Sequence, residues 1–410
     1  MDMDAGSTAR SRRVTGLAAV IASMAAIATF YGFSGQFLSF VLEDRGVGGA
    51  LIGLSGAMQM AGIFVIMPVL PGLMRRLGPA RLMMIGAVLA LASIALMALF
   101  IDVWIWFPLR LALGAAQSMM WTTGETWLNH ESDDRNRGRT ISVFMFAVAV
   151  GFAAGPFILA EVGSQGATPF VTAAIMIGFI ILPLVVARGI RIAPGERPSA
   201  SLHQYVRLAP VPMVANLMFG MIGSTFMALL AVYGLRLGMD EALSARMLGW
   251  QGWGGAAMTF LLAWLASRFD RTLLLAVCTA AGALASLLLP WIPEMRSVGT
   301  PGIPWIDDIG GVLLISYLMI FGGVRAAHYG IAIMLVGDRF RGADLPSATT
   351  VFGLMFCSGS ILGPALGGLA MDLWDPHGLA GAVFLFHLLL LPLPLVTWWR
   401  RRAVSNPRRG

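Results

Sequence analysis

Residues 108–139 read PLRLALGAAQSMMWTTGETWLNHESDDRNRGR, an apolar run with Arg110 three residues in and Glu125 near its far end. An arginine at the centre of a membrane helix costs ~2.5–3.5 kcal/mol on insertion scales, so it turns toward a bundle interior or a wet cavity. Arg110, Gly114, Gln117, Trp121 and Glu125 follow at intervals of four, three, four and four residues, which puts them on one helical face. Glu125 lies about 22 Å along the helix from Arg110 at 1.5 Å per residue, too far to be its ion pair. The two charges therefore have separate tasks.

The rest of the chain has the composition of a membrane protein. Of 410 residues 58% are hydrophobic and 12% charged, and the mean hydropathy is +0.79. The helices are apolar nearly all round, as contact with lipid requires. Glycine and proline, 49 and 21 residues, are frequent; transmembrane helices tolerate both. Twelve apolar segments reach the roughly twenty residues that a bilayer span needs. They are 15–42, 49–73, 80–101, 103–128, 140–160, 167–187, 210–235, 243–266, 272–292, 309–336, 346–370 and 379–399. The first is too long for a signal-peptide core and reads as a retained span. Trp104, Trp106, Trp291, Trp305, Trp398 and Trp399 fall at span ends and read as interfacial anchors. Cys278 and Cys357 sit in separate apolar segments and read as small buried residues, not as a disulfide or metal site.

All 28 basic residues are arginine. With the N-terminus on side one, that side collects 22 of them, in the loops carrying Arg10–Arg13, Arg75–Arg81, Arg135–Arg139, Arg188–Arg207, Arg268–Arg271, Arg339–Arg341 and Arg400–Arg409. Side two has Arg45, Arg236, Arg246 and Arg296, while Arg110 and Arg325 lie inside spans four and ten. Basic loops stay cytoplasmic, so both termini are expected there. The net charge of +7 is thus spread over alternate loops and does not form a nucleic-acid-binding face. Residues 188–208, RGIRIAPGERPSASLHQYVRL, combine Pro, Gly, Ser and four arginines. They divide the chain into a six-helix half (1–187), a cytoplasmic linker (188–208), a second six-helix half (209–400) and a tail (401–410).

The halves share a pattern. GFAAGP begins at Gly151 in span five and GSILGPALGG at Gly359 in span eleven, so Gly151, Gly155 and Pro156 match Gly359, Gly363 and Pro364 at an offset of 208 residues. Small residues four apart let helices approach closely, and proline loosens the backbone ladder. With these motifs the whole chain resembles the major facilitator superfamily. GLMRRLGPARL resembles the signature loop after span two at Gly72, Arg76 and Gly78, with Arg75 where the family usually has aspartate. ASRFDRTLL after span eight is a weaker echo, with Arg268 and Arg271. Arg110 and Gly114 match the RxxxG of span four, and Glu125 with Arg137-Gly138-Arg139 resembles the acidic helix end and following loop. The span-five GxxxGP continues as Phe157, Ile158, Leu159 and Ala160 in place of the usual glycine pair. The GETWLN…RNRGR segment is similar to a branch of bacterial permeases grouped near sugar and drug exporters.

The resemblance implies an all-α polytopic fold of twelve transmembrane helices in two pseudo-symmetric halves, working by alternating access, with spans one, four, seven and ten lining a central path. The candidate substrate cavity is then Arg110, Gln117 and Trp121 from span four, Tyr31 and Ser34 from span one, Asn216 from span seven, and Tyr317, Arg325 and His328 from span ten. Tyr317, Phe321, Arg325 and His328 form a second stripe. A cytoplasmic gate is expected from Glu125 with Arg75, Arg76, Arg135, Arg137 and Arg139. Gly114, Gly151, Gly155, Pro156, Gly359, Gly363 and Pro364 are assigned to helix packing.

No acid lies at the middle of any span, while two arginines do. This favours an anionic or carboxylate-bearing solute over a lipophilic cation, which would want a buried carboxylate. Export of a neutral or amphipathic drug or sugar is the alternative, and a non-transporting receptor on the same fold a further one. Proton coupling is implied by the resemblance; histidine in general titrates near neutral pH, which makes His328 and His387 candidates to shuttle the proton, but a lone histidine in a span is more often a packing residue. HExxH, GxSxG, the P-loop and CxxC are all absent, so no enzyme is expected. The expected partners are a small-molecule substrate, a coupling proton and the lipid of the bacterial inner membrane, for a monomer without cofactor or metal.

Overall fold

In hydrocarbon there is no water for backbone N–H and C=O groups, so a chain this apolar must satisfy them within helices or a closed barrel. The structure is a computed structural model that describes residues 2–100, 102–131, 137–186, 202–297, 309–342 and 344–405, and these contain helices and no strand. The first helices are α1 (Asp2–Asp44), α2 (Gly49–Ile66), α3 (Leu70–Leu77), α4 (Pro79–Leu99), α5 (Val103–Glu131), α6 (Arg137–Val162) and α7 (Thr168–Val186). Then come α8 (Leu202–Leu208), α9 (Pro210–Arg236), α10 (Glu241–Arg268), α11 (Arg271–Leu288) and α12 (Ile292–Ser297). The last are α13 (Ile309–Arg339), α14 (Asp344–Leu373), α15 (Gly378–Leu390) and α16 (Pro392–Ser405).

Local sequence sets the ends. Asp240 and Asp270 cap α10 and α11 by accepting from the amides of Leu243 and Leu273 at 2.8 and 2.9 Å. Pro79 and Pro210 open α4 and α9, where the missing N–H is no loss. The α3–α4 turn needs Gly78 at φ 77°. The expected span 49–73 breaks at residues 67–69, because Pro68 disfavours helix at the residue before it. Pro392 likewise divides the last span into α15 and α16. The expected linker is partly helical: α8 covers its end, and its residues 188–201 lie outside the described ones.

Ten helical stretches among the described residues are long and apolar enough to cross a membrane, against twelve expected. The other two expected spans are α5 and α10, helices of 29 and 28 residues. Their length is ample; their apolarity is lowered by Arg110, Gln117 and Glu125 in one and by Glu241, Arg246 and Gln251 in the other. Outward surfaces are apolar, with Leu99, Phe146, Leu182, Leu284 and Leu373 exposed, while Gln59, Arg110, Gln117, Asn216, Gln251, His328 and His387 are buried. That inversion suits lipid as the surrounding solvent. Trp104, Trp291 and Trp399 are exposed as anchors should be. Trp106 is not: it is fully buried and donates Nε1–H to the Phe100 carbonyl at 2.8 Å. Trp305 lies outside the described residues, and Cys278 and Cys357 are free and buried.

The chain divides into two units, Met1–Leu42 with Met58–Glu196, and Glu43–Ala57 with Arg197–Gly410. In the first, Gly151 and Gly155 of α6 sit against the carbonyls of Ala25 and Thr29 of α1, and Gly114 of α5 against that of Gln59 in α2. In the second, Gly359 and Gly363 of α14 sit against the carbonyls of Leu217 and Met221 of α9, and Gly322 of α13 against that of Gln251 in α10. The reciprocal contacts match too: Gly62 meets the Leu111 carbonyl and Gly254 the Met319 carbonyl. An offset of 208 residues relates the contacts on α5 and α6 to those on α13 and α14, and one of 192 relates those on α1 and α2 to those on α9 and α10. Each unit thus repeats one scheme of backbone-to-glycine packing.

The second unit also holds a polar tie. Arg236 grips Glu43 through Nε and Nη2 at 2.8 Å each and reaches Asp375 with Nη1 at 2.8 Å. Asp372 accepts from the amides of Gly49 and Ala50 at 2.6 and 2.8 Å, so a carboxylate from the end of α14 caps the start of α2.

Because a Cβ at Gly359 would overlap the Leu217 carbonyl, Gly359→Ala is expected to destabilise by about 1–3 kcal/mol, as overpacking does. Gly353→Ala, in the same helix with nothing within 4 Å of a new Cβ, is expected to leave the melting temperature of the purified protein unchanged or higher.

Candidate functional site

In the first unit, the contact of Gly114 with Gln59 draws α2 and α5 close enough for a short side chain to bridge them. Gln59 does so. Its Oε1 accepts from Arg110 Nη1 at 2.5 Å, and its Nε2 donates to Gln117 Oε1 at 2.8 Å. Gln117 Nε2 in turn donates to Ser34 Oγ of α1 at 3.4 Å. The direction of this relay follows from Arg110, which has only donors and so fixes which end of each amide faces which neighbour. Arg110, Gln59, Gln117 and Ser34 are all buried, Arg110 to 1% exposure. The guanidinium has a neutral partner and no ion pair among the described residues, and its Nε and Nη2 have no hydrogen-bond partner there.

Aromatic rings lie on the same helices. Phe152 of α6 meets both Tyr31 and Trp121 with ring centroids 5.7 Å apart in each case, and the Tyr31 hydroxyl reaches Met60 Sδ at 3.6 Å. Trp121 also hydrogen-bonds the Glu125 carboxylate one turn on. Arg75 and Arg76, in the last turn of α3, are exposed and form no ion pair with a described carboxylate. Arg135 and the side chains of Arg137 and Arg139 lie outside the described residues.

In the second unit the expected residues divide between two directions. Arg325 of α13 points toward α9, over the Phe219 ring at 5.6 Å and beside Gly223. Phe219 packs on Tyr329 and Phe356, and Tyr329 on Phe352. Arg325 Nε is buried without a partner among the described residues. Asn216 is buried, donating to the Phe352 carbonyl at 2.7 Å, and its Oδ1 has no partner among the described residues. His328 points instead toward α11, where Thr279 Oγ1 is 3.2 Å away. The Tyr317 hydroxyl donates to the Ala285 carbonyl of α11 at 2.7 Å.

The 208- and 192-residue offsets show where the units part. Gln59 corresponds to Gln251, Gln117 to Arg325, and Arg110 to Leu318. Gln251 is fully buried, and neither end of its amide has a partner among the described residues. The scaffold repeats and the charges do not. Sequence reasoning passed over Gln59 and Gln251, yet each is a glutamine inside an apolar segment, the same kind of signal that singled out Arg110. Phe152 and Phe219 carried no such signal, since phenylalanine in a span is ordinary.

Known proteins share this fold. Residues 19–306 match the family description Major Facilitator Superfamily. The chain belongs to the major facilitator superfamily. Among superfamily relatives, it is 26% identical over 377 residues to the MFS-type transporter YfkF of Bacillus subtilis, covering 90% of both chains. It is 23% identical to the MFS-type transporter YcaD of Escherichia fergusonii, covering 82% of both. Solved structures share the fold: a point mutant of the nucleoside transporter NupG gives a TM-score of 0.75 at 14% identity, covering 94% of this chain and 99% of that one. A D-xylose-proton symporter gives 0.71 at 13% identity, covering 94% and 97%. The protein is a multi-pass membrane transporter.

Gln59 is the hydrogen-bond partner of Arg110 among the described residues, so Gln59→Leu should cost about 1–3 kcal/mol by stranding a buried donor. Gln59→Glu, which offers the guanidinium a carboxylate, should melt at or above the wild-type temperature in the same thermal-shift measurement.

Proposed function

We propose that this protein is a secondary active transporter that moves a small anionic or carboxylate-bearing organic solute across the bacterial cytoplasmic membrane by alternating access, coupled to protons, with both termini in the cytoplasm. One observation carries the cargo class. The two unpartnered donors of Arg110, Nε and Nη2, share one edge of the guanidinium, the edge that grips a carboxylate side-on with two parallel hydrogen bonds. A buried cation with a neutral partner and a free bidentate edge is suited to an arriving anion. Arg325, also without an ion pair among the described residues, supplies a like feature in the second unit.

Uptake into proteoliposomes tests this, using size-matched carboxylate, neutral and cationic solutes with and without an acid gradient. Carboxylates should be preferred. Arg110→Gln should lower carboxylate uptake at least about tenfold, since charge-assisted hydrogen bonds contribute ~1.5–3 kcal/mol each. Arg110→Lys should recover part of it, keeping the charge without the fork. Unchanged carboxylate uptake in Arg110→Gln sinks the reading.

A second reading has its own support. Gln251 offers an unpartnered amide donor and acceptor, the equipment for a neutral hydroxylated solute, and the solved neighbours include a nucleoside transporter and a D-xylose-proton symporter. Preference for the neutral members of the panel, insensitive to Arg110→Gln, would favour it.

Glu125, bonded to Trp121 at the end of the Arg110 face, is proposed to close the cytoplasmic side with the neighbouring loop arginines. Glu125→Gln is then expected to change turnover and the labelling of cytoplasmic-side cysteine probes while leaving substrate affinity in place.

A further inference from the structure

Two of the second unit's histidines, His328 and His387, stand ring to ring. His328 of α13 and His387 of α15 are fully buried, with ring centroids 5.4 Å apart. His328 Nδ1 lies 3.1 Å from the Val324 carbonyl and 3.3 Å from that of Arg325. Carbonyls only accept, so Nδ1 carries a hydrogen. His328 Nε2 lies 3.2 Å from Thr279 Oγ1, a hydroxyl whose single hydrogen can turn to Nε2 or to the Leu275 carbonyl 2.7 Å away. A neutral His328 accepts that hydrogen at Nε2. When a proton is added to Nε2, Thr279 turns its hydrogen to Leu275 and accepts from Nε2. The site can therefore satisfy His328 in both its neutral and its protonated form.

His387 is built differently. Its Nδ1 donates to the Val383 carbonyl at 2.8 Å, with Ser286 Oγ at 3.4 Å, and Ser286 gives its own hydrogen to the Gly282 carbonyl at 2.7 Å. Its Nε2 has no partner among the described residues and is pressed against Gly282, so a proton there would find no acceptor. A second positive charge beside the first would also be repelled. The pair has room for one proton, and its place is His328.

The charged neighbour is Arg325, one turn earlier on α13. The sequences of α9, α11 and α15 contain no carboxylate, those of α14 lie at its ends, and that of α10 at its start. On α13 itself the acid is Asp338, near the helix end and paired with Arg271, and the other titratable groups here include Cys278 next to Thr279, Tyr329 next to His328, Tyr233 and Tyr317. Arg325 thus opposes the proton, and nothing within these spans offsets it. We propose that His328 is the proton-binding site of this transporter, one proton per chain, with Thr279 as the positioning acceptor and the charge of Arg325 as the control. An anion that compensates Arg325 would remove the opposition and draw the proton onto His328, so that the two are carried together. That last step rests on the anionic-cargo reading; the proton site does not.

The test uses full-length protein in nanodiscs, labelled with ¹⁵N at histidine and free of substrate, so that it speaks to the proton site alone. On acidification, the His328 signal should pass from a form protonated at Nδ1 only to the doubly protonated form, while His387 stays neutral. His387→Gln should leave that transition in place. Thr279→Val, which removes the acceptor but keeps the volume, should weaken proton binding at His328 about tenfold, the worth of one hydrogen bond to a charged group. Arg325→Gln should tighten it about tenfold or more, the scale of a charge one helical turn away. Protonation of His387 in place of His328, double protonation of the pair, no transition at all, or indifference to Arg325→Gln would each overturn the proposal. A His328 transition as described, beside a solute panel with no carboxylate preference, would instead defeat the anionic-cargo reading and leave the proton site standing.

Discussion

The buried relay around Arg110 depends on how closely the helices that carry it approach. Lipid offers no hydrophobic drive for helix association, so packing must come from direct backbone contact. Gly114 against Gln59, Gly155 against Thr29, Gly322 against Gln251 and Gly363 against Met221 supply it, each glycine seated on a carbonyl that a side chain would displace. The Arg110 relay is a consequence: Gln59 reaches both Arg110 and Gln117 because the helix bearing it touches the other at Gly114.

The same contacts expose an asymmetry. Both units use one packing scheme, yet the position held by Arg110 in the first is Leu318 in the second, and that of Gln117 is Arg325. A duplicated scaffold with matched charges would offer two similar sites. Here one unit presents a cation steadied by two amides and the other a cation over aromatic rings with a histidine pair behind it.

Much of this was legible in the chain. The long apolar segments, the alternation of arginine between loops and the GxxxGP repeat all reflect rules that act locally: helix length against bilayer thickness, charge against insertion, and small residues at crossings. Arg110 stood out because charge in hydrocarbon is costly wherever it falls. Boundaries were less legible where prolines intervene, as at residues 67–69 and before Pro392. Trp106 looked like an interfacial anchor by position, but it is buried with its N–H on the Phe100 carbonyl.

Sequence by itself determined that the chain is a bundle of membrane helices in two related halves, with two arginines that lipid could not accept, because composition and periodicity fix each helix's tolerance for lipid one residue at a time. It could not say what those arginines meet. That Gln59 takes one donor of Arg110 and leaves its Nε–Nη2 edge without a partner among the described residues, that Arg325 and His328 turn to different neighbours, and that a Thr279 hydroxyl stands at His328 Nε2 were decided by tertiary structure. The physical reason is that hydrogen-bond completion is a property of atoms brought together from distant helices, and each of these partners lies at least 49 residues away in the chain.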